Sequence, residues 1–106
     1  MATYKVLGQV NPAATTNVDL YTVPAGKQAV CSTLAVCNRG SSSSFRVAVR
    51  PAGATLADQH YIVFDNIISS NDSLFLTLGV SLETTDVVTV FSGSSNISYS
   101  LFGSEI

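Results

Sequence analysis

The sequence predicts an all-β fold: one two-sheet antiparallel β-sandwich, jelly-roll-like, of about eight strands, spanning residues 1–106 as a single domain. Three observations carry this expectation. Apolar and polar residues alternate with period two along much of the chain, and no apolar stripe at helical spacing interrupts them. Turn-forming clusters return about every 8 to 15 residues, a spacing that suits short strands. The segment 19–38, DLYTVPAGKQAVCSTLAVCN, carries apolar residues on both faces of its strands. A half-wetted sheet would alternate, so the second face needs a cover: another sheet, or another copy of the chain.

Taken in order, TYKVLGQV (Thr3–Val10) reads as the first strand, with Tyr4, Val6 and Val10 on one face. NPAATTN (11–17) is a loop, because Pro12 lacks a donor and small polar residues follow. DLYTV (19–23) is a short strand, and Pro24-Ala25-Gly26 turns the chain, Pro at its fixed φ and Gly where positive φ is needed. The long third strand, 28–37, sets Val30, Leu34 and Val36 on a bulky face. Ala29, Cys31, Thr33 and Ala35 form a uniformly small opposite face, suited to close approach of a second sheet or subunit. NRGSSSS (38–44) is a low-complexity loop. In FRVAVR (45–50), Phe45, Val47 and Val49 point inward and Arg46, Ala48 and Arg50 outward.

A loop at 51–57 leads to a strand at 59–65, where His60, Ile62 and Phe64 oppose Tyr61 and Val63. After a turn at 69–72, Leu74, Leu76 and Leu78 mark another strand. VVTVFS (Val87–Ser92) and ISYSLF (97–102) are the last two, joined as a hairpin through Gly93-Ser94-Ser95-Asn96. The final strand runs almost to the chain end and is expected at a sheet edge, open to pairing with a neighbour. Residues 1–2 and 104–106 are expected to be short tails. Leu34, Val47, Leu76, Val88 and Tyr99 are the core candidates.

Charged residues make up 11% of the chain, against roughly 25% in an average soluble domain. The net charge is -2 and the five cations, Lys5, Lys27, Arg39, Arg46 and Arg50, form no run, so no nucleic-acid footprint is present. The apolar runs fall far short of the roughly 20 residues of a membrane-spanning helix. The opening MATYK leads straight into an alternating segment rather than a signal peptide, which implies synthesis and assembly in a cytoplasm. Cys31 and Cys37 lie on one expected strand, so their Cα atoms are roughly 20 Å apart. A disulfide needs less than about 7 Å, and two free thiols are expected.

No catalytic constellation emerges, and a non-enzymatic protein without cofactor or metal is expected. His60 is the single histidine, sits inside a strand pattern and has no nucleophile elbow to serve. The acidic residues fall mostly at strand ends and turns, where their role is turn geometry. Asp65, Asn66, Asn71 and Asp72 lack the spacing of a calcium loop. Asn71-Asp72-Ser73 and Asn96-Ile97-Ser98 match glycosylation tripeptides without a secretory context. Tyr4, Tyr21, Tyr61 and Tyr99 are the aromatics available to a glycan; core or interface packing explains them more economically.

The runs LYTVPAGK (20–27), VCNRG (36–40), FRVAVRP (45–51), DQHY (58–61) and the ending LFGSEI (101–106) resemble a family of small virion-associated proteins of tailed bacteriophages. The likeness covers nearly the whole chain. It implies a virion part, made and assembled in the bacterial host cytoplasm, and no enzymatic signature comes with it. The expected function is a structural protein of the particle, foremost a capsid decoration (cement) protein acting as a homo-oligomer. A tail, neck, baseplate or fibre component is the first alternative, and a glycan-binding host-adhesion module is the alternative from another class. The expected partners are other copies of the chain, as a trimer, and virion proteins such as the major capsid protein or tail proteins, with neither nucleic acid nor membrane. Interface candidates are Ala29, Cys31, Thr33 and Ala35 on the small face, and Arg46 and Arg50 as bridges to acidic neighbours.

Overall fold

The computed structural model describes residues 3–106; the tail expected at residues 1–2 lies outside them. Eight strands follow one another: β1 (Thr3–Val10), β2 (Asn17–Thr22), β3 (Ala29–Asn38), β4 (Ser43–Arg50), β5 (Tyr61–Ile68), β6 (Ser73–Leu82), β7 (Val87–Ser92) and β8 (Ile97–Glu105). They form two four-stranded sheets, of order β1-β8-β3-β6 and β2-β7-β4-β5. Each of β1, β2, β3 and β4 pairs antiparallel with β8, β7, β6 and β5 respectively. That is the pairing of one long hairpin rolled up on itself. The contacts β3·β8 and β4·β7 then close the two sheets. The result is a jelly roll, as the alternation and turn spacing predict.

Two expectations about connectivity are corrected by this topology. β8 is an interior strand, held by β1 on one side and β3 on the other, and is no edge. It also extends to Glu105 rather than ending in a tail. The Gly93–Asn96 segment is not a hairpin turn: β7 and β8 belong to different sheets, and the connection crosses between them. His60 leaves the strand as well. It closes a 3-10 turn (Asp58–His60), where its Nδ1 accepts the Ala57 N–H at 3.0 Å.

The core fills the space between the sheets. Leu34, Val36, Tyr99, Leu101 and Ile97 face Phe45, Val47, Val88, Val90 and Ile68, all buried. Phe45 and Tyr99 meet edge to face with ring centres 6.3 Å apart, a favoured aromatic geometry. Four of the five core candidates are buried; Leu76, on the edge strand β6, packs against the core only partly covered. The buried Tyr99 hydroxyl accepts from Ser92 Oγ at 2.7 Å and donates to the Phe91 carbonyl at 3.0 Å. Burial pushes its pKa up to about 12. No helix among the described residues is long and apolar enough to cross a membrane.

Two polar clamps hold the ends of the barrel-like stack. At one end, Asn38 is only 1% exposed. Its Nδ2 donates toward the carbonyls of Ser41, Ile68 and Ser69 at 2.9, 3.1 and 3.2 Å, and its Oδ1 accepts the Gly40 N–H at 3.0 Å. One side chain thus fixes the Ser-rich loop onto the β5–β6 turn. At the other end, Tyr21 on β2 donates its hydroxyl to Glu105 on β8, and Lys5 on β1 pairs with the same carboxylate at 2.7 Å.

That second clamp has a pH signature. Lys5 and then Tyr21 hold the Glu105 carboxyl below its ordinary pKa, while burial and then Glu105 push the Tyr21 phenol up. A carboxyl whose folded pKa is depressed contributes stability above its unfolded value and loses it as pH falls through the folded one. Thermal stability is therefore expected to hold from neutrality down to about pH 5 and to decline below about pH 4. Glu105→Gln should flatten part of that decline. An acid limb unchanged in Glu105→Gln would show that the clamp contributes nothing to it.

Candidate interaction surfaces

The outer face of the β1-β8-β3-β6 sheet is built from four rows of side chains lying across the strands. Tyr4, Ser104, Val30 and Ser81 form the first, and Val6, Phe102, Thr33 and Thr77 the second. Gln9, Ser100, Ala35 and Phe75 form the third, and Ser98, Cys37 and Ser73 the fourth. None of these side chains is a carboxylate, ammonium or guanidinium: they are aliphatic, aromatic, hydroxyl, thiol or amide groups. Tyr4 is 86% and Phe75 72% exposed, and Val6 and Val30 are also open to solvent.

The expected small face of β3 does not exist as one surface. A bulge at Ser32, between Cys31 and Thr33, shifts the register against both neighbouring strands. An extra residue reverses which side chains point inward. Ala29 and Cys31, 2% and 1% exposed, consequently lie in the chain's own core, beside Leu34 and Val36. They are corrected as interface candidates: nothing outside the chain can reach them. Thr33 and Ala35 remain on the outer face, half-buried among the rows above. Sequence reading missed Phe75, Tyr4, Val6 and Val30 as surface groups. For Phe75 the signal was present, since a strand with Leu74, Leu76 and Leu78 inward must turn Phe75 outward.

The two thiols are free. Burial pushes the Cys31 thiol up to about 11, while Cys37 lies on the outer face. A thiol-alkylating reagent is expected to modify Cys37 in the native protein and Cys31 only after unfolding; equal labelling rates, followed by peptide mass spectrometry, would contradict the placement of Ser32 in a bulge.

On the outer face of the β2-β7-β4-β5 sheet, Arg46 and Arg50 point outward as the alternation predicts. They are not bridges waiting for a neighbour. Arg46 donates to Asp65 through Nε at 2.6 Å and Nη2 at 3.2 Å. Its guanidinium also lies between two rings, 4.3 Å from the centre of Phe64 and 4.5 Å from that of Phe91. This is a stacked, bidentate geometry that lysine could not reproduce. The hydrogen bonds from Arg46 hold Asp65 below its ordinary carboxyl range. Arg50 donates to Asp19 at 2.9 Å, to Thr89 at 3.0 Å and to the carbonyls of Gly53 and Ala54.

A simple regularity results. The strands carry six charged residues, Lys5, Asp19, Arg46, Arg50, Asp65 and Glu105, and all six are consumed in three ion pairs within the chain. The remaining charges, among them Lys27, Arg39, Asp58, Asp72, Glu83 and Asp86, lie in the connections at the two ends of the sandwich. Among the described residues, both broad faces therefore offer partners no unpaired charge.

Of the four tyrosines, Tyr21 and Tyr99 are in the core. Tyr61 meets Phe64 edge to face at 4.9 Å and, with Asp58, lines a shallow cleft of about 450 Å³. A second cleft, of about 360 Å³, lies at one end of the sandwich among Gln28, Ser81, Glu83 and Ile106. Among the described residues, no group of three or more His, Cys, Asp or Glu side chains comes together to hold a metal ion. Compared with protein-family models, with curated proteins and with solved structures, the chain gives no match.

Proposed function

We propose that the chain is a non-enzymatic structural protein of a tailed-phage particle, a capsid decoration protein that works as a homo-oligomer. The observation that carries this reading is the charge-neutral outer face of the β1-β8-β3-β6 sheet, with Tyr4, Val6, Val30 and Phe75 exposed on it. Large apolar side chains gathered on one uncharged sheet face support reading it as an interaction surface. Covering it removes apolar area from water at about 25 cal/mol per Å², less the cost of association. The resemblance to small virion-associated proteins supplies the setting, and the jelly roll is an architecture that capsid proteins share with lectins.

The test is retention on purified particles. Protein added to heads and to tails separated from the phage that encodes it should cosediment with heads. Retention on tails alone would move it to the neck, baseplate or fibre, and retention on neither would overturn the reading. Because the strand charges are already paired, binding is expected to change less than about threefold between 0.05 and 0.5 M salt. A steep loss with salt would point instead to a charge-driven partner. The cleft at Asp58, Tyr61 and Phe64 favours a second reading, a glycan-binding module. Phe64→Ala would abolish binding to host surface polysaccharide in that case and leave particle binding intact.

A further inference from the structure

The sandwich has four edge strands, β1, β6, β2 and β5, and three of them are blunted against pairing. β1 carries Lys5 and a register break between Val6 and Gly8. β2 is short, carries Asp19 and breaks its register between Asp19 and Tyr21. β5 carries Asp65 at φ 51° and two irregularities. Charges and bulges of this kind are how β proteins keep edges from pairing. β6 is different. Its ten residues, SLFLTLGVSL, contain no charge and no proline; the register breaks between Thr77 and Val80, with Gly79 at φ 66°, but residues 73–77 run in unbroken register beside β3. Its outward edge leaves a row of main-chain donors and acceptors open.

We infer that β6 pairs antiparallel with β6 of a second copy, joining two four-stranded sheets into one of eight. The inference rests on the self-assembly proposed above and specifies its contact. A second copy is the occupant because the strand is self-complementary: uncharged meets uncharged, and a two-fold axis presents the same edge twice. The pleat limits the register. Inward residues must oppose inward residues, so the axis passes through a residue position rather than between two. Centred on Leu76, which uses the regular part of the strand, it sets Phe75 of each copy opposite Thr77 of the other. The charge-free outer face then continues across the junction.

The test is a charge swap at these two exposed positions, read by sedimentation equilibrium and by amide hydrogen exchange over residues 73–78. The wild type should be a dimer whose β6 amides become more protected as concentration rises. Phe75→Lys with Thr77→Lys sets lysine opposite lysine twice and should weaken dimerisation by at least about tenfold. Phe75→Lys with Thr77→Glu sets lysine opposite glutamate twice and should restore it. Both variants change solvent-facing side chains, and unchanged thermal midpoints would verify the fold. A dimer indifferent to both variants, or one lost in both, overturns the β6 contact. So does a monomeric wild type, including one that gains β6 protection only with a peptide of another protein. A trimer overturns it too, since three copies cannot share one two-fold edge, while leaving self-assembly and head binding standing.

Discussion

Gly103→Ala is expected to destabilise the chain by about 3 kcal/mol, which lowers the thermal midpoint by roughly 12–24 °C in a domain of this size. Gly103 on β8 lies opposite Cys31, beside the bulge in β3. A Cβ there would stand 2.1 Å from the Val30 carbonyl oxygen and 3.1 Å from the Cys31 Cα. Both are main chain in a central strand, so neither can swing away as a side-chain tip would. Relief requires the two strands to separate or the bulge to move, and the bulge decides which β3 residues fill the core. Gly26 is the control. It sits at φ +75° with nothing within 4 Å of a Cβ, so Gly26→Ala should cost only the left-handed backbone strain, about 1 kcal/mol. Equal midpoints for the two variants would contradict the close approach of β8 to the β3 bulge.

Asn38→Ala is expected to cost a similar amount, about 3 kcal/mol. The cost comes from orphaned carbonyls rather than lost volume. The carbonyls of Ser41, Ile68 and Ser69 share the two amide hydrogens of one buried side chain, and the Gly40 N–H loses its acceptor. Against a total stability of roughly 5–15 kcal/mol, that is a large fraction. Asn38→Asp separates this account from a simple packing one. It keeps the shape but points a carboxylate at three carbonyl oxygens, so at neutral pH it should be less stable than the alanine variant. The carboxyl would have a raised folded pKa, so its penalty is present above the unfolded value and fades below about pH 4. Urea titrations of both variants at neutral and acid pH check the crossing. An aspartate variant at least as stable as the wild type at neutral pH would contradict the clamp.

These two residues also show where sequence reading stops. Strand alternation located Thr3–Val10 and Val87–Ser92 to the residue, and the turn chemistry of Pro24-Ala25-Gly26 correctly anticipated positive φ at Gly26. Such signals are local. The bulge at Ser32 is not, because it accommodates the main chain of β8 and leaves no mark in the alternation of β3. It split Ala29 and Cys31 from Thr33 and Ala35, and so removed half of the expected contact face. Asn38 read as the start of a flexible loop because two of the carbonyls it holds, those of Ile68 and Ser69, lie about 30 residues away in sequence. The arginines were legible as outward-facing, but their partners Asp65 and Asp19 come from other strands. Pairing between strands depends on topology, and an alternation pattern does not encode which strand arrives beside which.

The absence of free charge on both faces was legible only in part. Low overall charge was visible in the composition, whereas its complete pairing on the strands required the fold. That pairing makes the faces suited to dry, salt-tolerant contacts in an assembly. It is also why the proposed structural role in a particle is the central question. If the proposed role holds, quantitative mass spectrometry of purified, fractionated phage particles tests it most directly. The account predicts that the chain is found with the heads, in a fixed ratio to the major capsid protein from one preparation to the next. Its absence from washed particles, with the protein abundant in the infected cell, would contradict the structural role.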